Sequence, residues 1–213
     1  MDRTSRMTAL LGRFRRERNG AVADAMGYRG RRYGLNYGVS LPTVRALARA
    51  EGRDHGFARY LFLQDVRELR LAALWIADPE RIEAGEFAFW AAGIVNSELA
   101  EECAFALLAR APRGEAWCRT WSEAQEEMLQ YAALVGAARI PSADFREWLP
   151  RLHALLTAQP DSALLARGGV ALLAASLASG AVPPGELARR IASLPEGGAA
   201  RHIADELSWR MAL

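Results

Sequence analysis

The sequence predicts an all-α fold built as a helical array, on three observations. Strand signals are scarce, helix-start signals recur along the whole chain, and several starts (Ser40, Asp78, Ser122, Asp161) fall at intervals of roughly forty residues. The chain has 213 residues, 51% hydrophobic and 24% charged, enough for one large domain or two small ones and too apolar for a disordered chain.

The elements follow in order. Arg13-Phe14-Arg15-Arg16-Glu17-Arg18 reads as a basic helical patch. Residues 26–40 carry four Gly, three Tyr and three Arg and read as a non-helical loop. Ser40 before Leu41-Pro42 is an N-cap followed by an early-turn proline. Asp65 opens a helix with Val66, Leu69, Ala73 and Ile76 on one stripe, and Asp78-Pro79 repeats the cap-plus-proline signal. Asn96 caps a helix bearing Leu99, Cys103, Ala106 and Leu107. Ser122 with Gln125 forms a capping box before Met128, Tyr131, Ala132 and Val135. Phe145, Trp148, Leu149, Leu152, Leu155 and Leu156 make the clearest amphipathic stripe. Asp161 starts a helix to about Leu177, Pro183-Pro184 starts another, and the last runs from about Ala199.

That gives roughly ten to twelve helices with short connections, in the manner of HEAT-type helix pairs of about 40–47 residues. The expected layout is a single all-helical domain, 1–213, with basic helices over 1–30 and helix pairs over 31–213. Stacked pairs curve, and the concave face of such an α-solenoid holds a long partner, nucleic acid or peptide.

Charge favours a polyanion. All 27 basic residues are Arg, which stays charged and forks onto phosphate or carboxylate. Residues 1–70 hold 15 Arg and 7 acids (+8), whereas residues 71–213 hold 12 Arg and 18 acids (−6). Within the loop, Arg interleaved with Tyr suits phosphate contact beside base or sugar stacking.

Other chemistries find no support. No run of 18 apolar residues suggests a membrane span, and the N-terminus leads into no signal-peptide core. Cys103 and Cys118 read as buried thiols, consistent with a cytoplasmic protein. His55, His153 and His202 are too scattered for a metal site, and no phosphate-binding or nucleophile-elbow motif occurs. No cofactor or metal is expected.

Tyr37-Gly38-Val39-Ser40-Leu41-Pro42-Thr43-Val44-Arg45-Ala46-Leu47-Ala48 resembles the N-terminal signature of the bacterial DNA alkylation repair family, the HEAT-like alkylpurine DNA glycosylases. Arg67-Glu68-Leu69-Arg70-Leu71-Ala72-Ala73-Leu74 is similar to that family's second block. The resemblance runs over roughly residues 30–180. It implies a curved array that holds duplex DNA, and hydrolysis of the glycosidic bond of a cationic alkylated purine. It also implies a Trp and an Asp four residues apart on one helix and an Arg on a later one. The carboxylate would stabilise positive charge on the sugar. This chain departs at those positions. With Trp90 in the Trp place the Asp place falls on Ile94, with Asn96 in the Asp place the Trp place falls on Ala92, and the Arg place falls on Tyr131, or on Gln130 with a one-residue shift.

The expected function is therefore a DNA-binding helical-repeat protein with glycosylase activity lost or altered, its partner double-stranded DNA, alkylated or not. Arg31, Arg32, Tyr33, Tyr37, Arg45, Arg67 and Arg70 are the expected DNA contacts. Trp90, Asn96, Trp121 and Tyr131 are the expected lining of the groove where relatives hold the lesion. Two alternatives stay open: a protein–protein adaptor, and an active glycosylase using Glu98 as a relocated carboxylate.

Overall fold

The computed structural model describes residues 2–28 and 33–211. Its regular structure is helical: α1 (Arg3–Arg16), α2 (Gly20–Tyr28), α3 (Leu41–Glu51), α4 (His55–Phe62), α5 (Arg67–Ile76), α6 (Phe87–Ala92) and α7 (Ser97–Cys103) form the first half. The second holds α8 (Gly114–Ser122), α9 (Glu127–Ala137), α10 (Phe145–Ala158), α11 (Ala163–Ala178), α12 (Pro184–Ala192) and α13 (Gly198–Met211). A π-helical turn, Ala104–Leu108, follows α7 directly. The only extended pairing among the described residues is an isolated parallel bridge between Leu35 and Val66. The chain divides into two compact units, Met1–Leu107 and Leu108–Leu213.

In the first unit α5 is central, packing against α3, α4 and α7, while α1 packs on α3 and α4. Its sequence explains this, because Leu69 and every residue from Leu71 to Ile76 are buried. The docking of α1 is both apolar and ionic. Leu10 and Phe14 are fully buried, Arg6 donates to Asp54 at 2.7 Å and lies 4.0 Å over the Phe57 ring, and Arg13 pairs with Glu51. Residues 33–40 form no helix. Gly38 there adopts φ +69°, a region open to glycine at little cost, and a Cβ on it would overlap the Asn19 carbonyl.

The second unit is built around α11, against which α9, α10, α12 and α13 all pack; α8 pairs with α9. Two adjacent glycines in mid-helix cost helix propensity, roughly 1 kcal/mol each. Close approach explains them. A Cβ on Gly168 would lie 2.8 Å from Leu134 Cδ1 of α9, and one on Gly169 2.7 Å from Ile203 Cδ1 of α13.

Several starts differ from the sequence reading. Ser40 and Asn96 do cap, accepting from Thr43 N and Leu99 N. Ser122 instead ends α8 and donates to the Arg119 carbonyl, and α9 begins at Glu127 with no side-chain cap. Asp65 is not a cap, since Val66 holds that place, and Asp78 caps only a 3-10 turn, Pro79–Arg81. Ser162, not Asp161, caps α11. Residues 26–28 belong to α2 rather than to the loop. Both cysteines are buried, and burial pushes the Cys103 thiol up, so it stays protonated. No helix among the described residues is long and apolar enough to cross a membrane.

Candidate nucleic-acid interface

Among the described residues, seven of the twelve arginines of the basic first third pair with carboxylates inside the first unit. Arg67 is the extreme case. With no exposed surface, its Nε and Nη2 donate to Glu98 at 2.8 and 2.7 Å, and its Nη1 donates to Glu68 and to the Val39 carbonyl. Burial works against the charge, but the hydrogen bonds and charge of Glu98, then of Glu68, outweigh it and hold the guanidinium pKa above its ordinary value. A guanidinium so engaged does not reach a DNA phosphate. Arg67 is a structural residue in this fold, and the expectation of a phosphate contact there is corrected.

The same cluster fixes the Tyr/Gly segment. Glu68 accepts from the backbone N–H groups of Tyr37 and Val39, each at 3.2 Å. Tyr33 donates its phenol to Glu98 at 2.8 Å, with Asn96 Oδ1 3.2 Å away. Burial first, then the Glu98 charge, pushes the Tyr33 pKa up, so the phenol remains a donor across the physiological range. Leu35 N–H donates to the Asp65 carbonyl, and Arg67 N–H donates to the Leu35 carbonyl. Tyr33 and Tyr37 are thus half-buried members of a strap laid across the start of α5, rather than open stacking faces. Glu98, the candidate relocated carboxylate, is 3% exposed and shares its oxygens between Arg67 and Tyr33.

The expected groove aromatics are also interior. Trp90 is fully buried against Phe62 (centroids 4.8 Å apart) and Phe89 (5.2 Å), and its Nε1 donates to Glu86. Trp121 and Tyr131, in the second unit, are 2% and 3% exposed. Arg167 reaches the Tyr131 hydroxyl at 3.2 Å beside a pocket lined by Val170, Ala174, His202 and Glu206. Asn96 is a buried helix cap. These side chains have too little open surface to line a groove as they stand. Their hydrophobicity answers to the core. His55, one of the three scattered histidines, is buried at the start of α4 with Nε2 against Glu86.

Arg45 and Arg70 remain partly accessible. Arg70 donates to the Gln64 carbonyl and pairs with Asp65 at 3.3 Å. Arg45 grips Glu102 with two nitrogens, and that hydrogen bonding holds its pKa above the ordinary value. Arg31 and Arg32 lie outside the described residues. Arg15 and Arg16 at the end of α1, Arg18 just beyond it, and Arg49 on α3 are among the exposed arginines that carry no ion pair with a described residue. They sit on, or just beyond, two helices that pack together.

Sequence reasoning missed Arg49, Trp75 and Phe105. The Arg49 guanidinium lies 4.5 Å from the Trp75 ring centroid. Arg45 lies 5.5 Å from Trp75 and 5.2 Å from Phe105, and the two rings are 5.6 Å apart. Trp75 Nε1 donates to Glu102 at 2.9 Å. A signal was present. Arg45 and Arg49 are spaced i, i+4 and share a helix face, and an unbroken apolar run over 104–108 obliges one residue to face outward.

No protein-family model and no curated protein matches the sequence. Among solved structures, the chain is similar to one described as a new family of proteins related to the HEAT-like repeat DNA glycosylases with affinity for branched DNA structures. The likeness covers 99% of this chain and 96% of that one, with a TM-score of 0.75 and 12% sequence identity. This chain therefore has the all-α, HEAT-like helical-repeat fold.

Proposed function

We propose that the protein binds DNA through its HEAT-like scaffold, preferring branched over plain duplex DNA, and does not excise bases. The observation that carries the reading is the end-to-end likeness to a solved structure described as belonging to a family with affinity for branched DNA. The exposed Arg15, Arg16, Arg18 and Arg49 supply a basic surface consistent with it. Phosphate contacts of this kind give affinity and salt dependence without sequence choice. The absence of excision is argued from Glu98. A carboxylate committed to Arg67 and Tyr33 and almost fully buried is not available to stabilise charge on a sugar.

The test is fluorescence anisotropy on a four-way junction and on blunt duplex of the same length, at two salt concentrations. Release of 7-methylguanine from a modified duplex is followed on the same preparation. Tighter binding to the junction, weakened steeply by salt, with no base release above the spontaneous rate, is expected. Absence of binding to either DNA at low salt would overturn the DNA reading in favour of a protein adaptor. Release abolished by Glu98→Gln, in a variant that still folds, would restore the enzyme.

A further inference from the structure

We propose that Phe105, at the end of the Arg49–Trp75–Arg45–Phe105 ladder, is the stacking site for an unpaired base at a DNA branch point, with Arg49 holding the adjacent phosphate. The inference rests on the DNA-binding reading and names the residues that recognise the branch.

The geometry sets Phe105 apart from its neighbours. It lies in the π-helical turn Ala104–Leu108, where Ala104, Ala106 and Leu107 are fully buried and Leu108 is 1% exposed, yet Phe105 is 45% exposed. Single π-turns inside helices are frequently found at functional sites. The ring is held, not loose: Arg45 lies over it and Trp75 packs beside it at 5.6 Å. Both supports are themselves fixed, because Glu102 takes two hydrogen bonds from Arg45 and one from Trp75. Glu102 also neutralises Arg45. Arg49 carries no ion pair among the described residues, so the outer guanidinium of the ladder keeps its charge for a phosphate.

The chemistry selects the partner. A rigid aromatic ring with an open surface gains most from another flat π-system, and base–aromatic stacking is insensitive to which base is present. Inside a duplex the bases already stack on one another. A branch point leaves bases unstacked, next to a dense cluster of phosphates. An open aromatic ring at one end of the ladder, with an uncompensated guanidinium at the other end beyond Trp75, matches that pair of features.

The experiment uses the full chain with a three-way junction carrying unpaired 2-aminopurine at the branch, and blunt duplex for comparison. Phe105→Ala and Phe105→Leu are each expected to raise the junction Kd by about 5- to 100-fold and to leave duplex binding within about twofold. The leucine variant keeps apolar packing against Trp75, which guards against misreading a folding defect. Phe105→Trp should retain junction binding. Quenching of 2-aminopurine by the wild type should vanish in the leucine variant. Arg49→Ala should weaken both DNAs and lower the salt slope by about one. Wild-type binding with neither Phe105 variant affecting the junction, or with both DNAs weakened equally, overturns the stacking site and leaves the DNA reading standing. A wild type that binds no DNA overturns both.

Discussion

The Arg67 guanidinium and the Glu98 carboxylate form a two-point pair, Nε to Oε2 at 2.8 Å and Nη2 to Oε1 at 2.7 Å, with neither side chain more than 3% exposed. Such a pair is sensitive to the loss of one partner, because the other is then buried and uncompensated. Arg67→Met is expected to cost about 3–5 kcal/mol. The double variant Arg67→Met with Glu98→Leu should cost less than the sum of the two single changes. Urea unfolding of the four proteins measures this. Strict additivity would mean the two side chains do not act as a pair.

The Tyr33 phenol makes the same cluster sensitive to alkali. Its pKa is raised in the folded protein from an ordinary value of 10.0, so the folded state holds this proton more tightly than the unfolded chain does. The contribution to stability is therefore complete below about pH 10 and is lost as pH rises above it. Tyr33→Phe should lower stability at pH 7 by about 1–2 kcal/mol, leaving a Glu98 oxygen short of a donor. The difference between wild type and variant should shrink by pH 11. A gap that is constant from pH 7 to pH 11 would sink the assignment.

What the sequence made legible was local. Ser40 and Asn96 were readable because a cap bonds a backbone N–H three residues on, within its own segment. Asp161 misled because its carboxylate leaves its helix start and accepts from Gly198 N–H, 37 residues away. Arginine counts misled for a related reason. Composition records how many charges a segment carries but not which carboxylates the fold brings to them. Arg67 meets Glu98 across 31 residues of sequence, and Arg45 meets Glu102 across 57. Trp90 looked like a groove residue in a local motif, and its place among Phe62, Phe89 and Glu86 appears only once α4 and α6 are packed.

Acid should loosen α1 before it unfolds the rest of the first unit. Asp54 accepts from Arg6 and from Phe57 N–H, and these bonds hold its carboxyl below the ordinary carboxylate pKa. A depressed carboxylate stabilises the fold above about pH 4, and that stabilisation is lost as pH falls through the folded value. Glu51, which pairs with Arg13 and lies 3.6 Å from Arg6, is a second carboxylate on the same anchor. The protection factors of the α1 amides, corrected for the intrinsic exchange rate, should fall from pH 5 to pH 3 more than those of α5. Asp54→Asn keeps the helix cap but not the ion pair, so it should show the looser α1 already at pH 6. Equal α1 protection in wild type and variant would remove the ion pair from the account.

Gly38 should be the least replaceable glycine of the strap. Its φ of +69° is a left-handed conformation that side chains resist, and a Cβ there would meet the Asn19 carbonyl and the Ala23 backbone rather than a movable side chain. The position also lies between two backbone donors that Glu68 accepts from, Tyr37 N–H and Val39 N–H, so a shift at 38 pulls both off their acceptor. Gly38→Ala is expected to destabilise by about 1–3 kcal/mol. Gly12 offers the matching control. It lies inside α1, where a Cβ meets nothing within 4 Å, and Gly12→Ala should stabilise by up to about 1 kcal/mol through helix propensity alone. Opposite signs for the two substitutions in thermal or urea unfolding would confirm that the strap is held by backbone geometry. A neutral Gly38→Ala would mean that residues 33–40 rearrange freely over the Arg67 cluster.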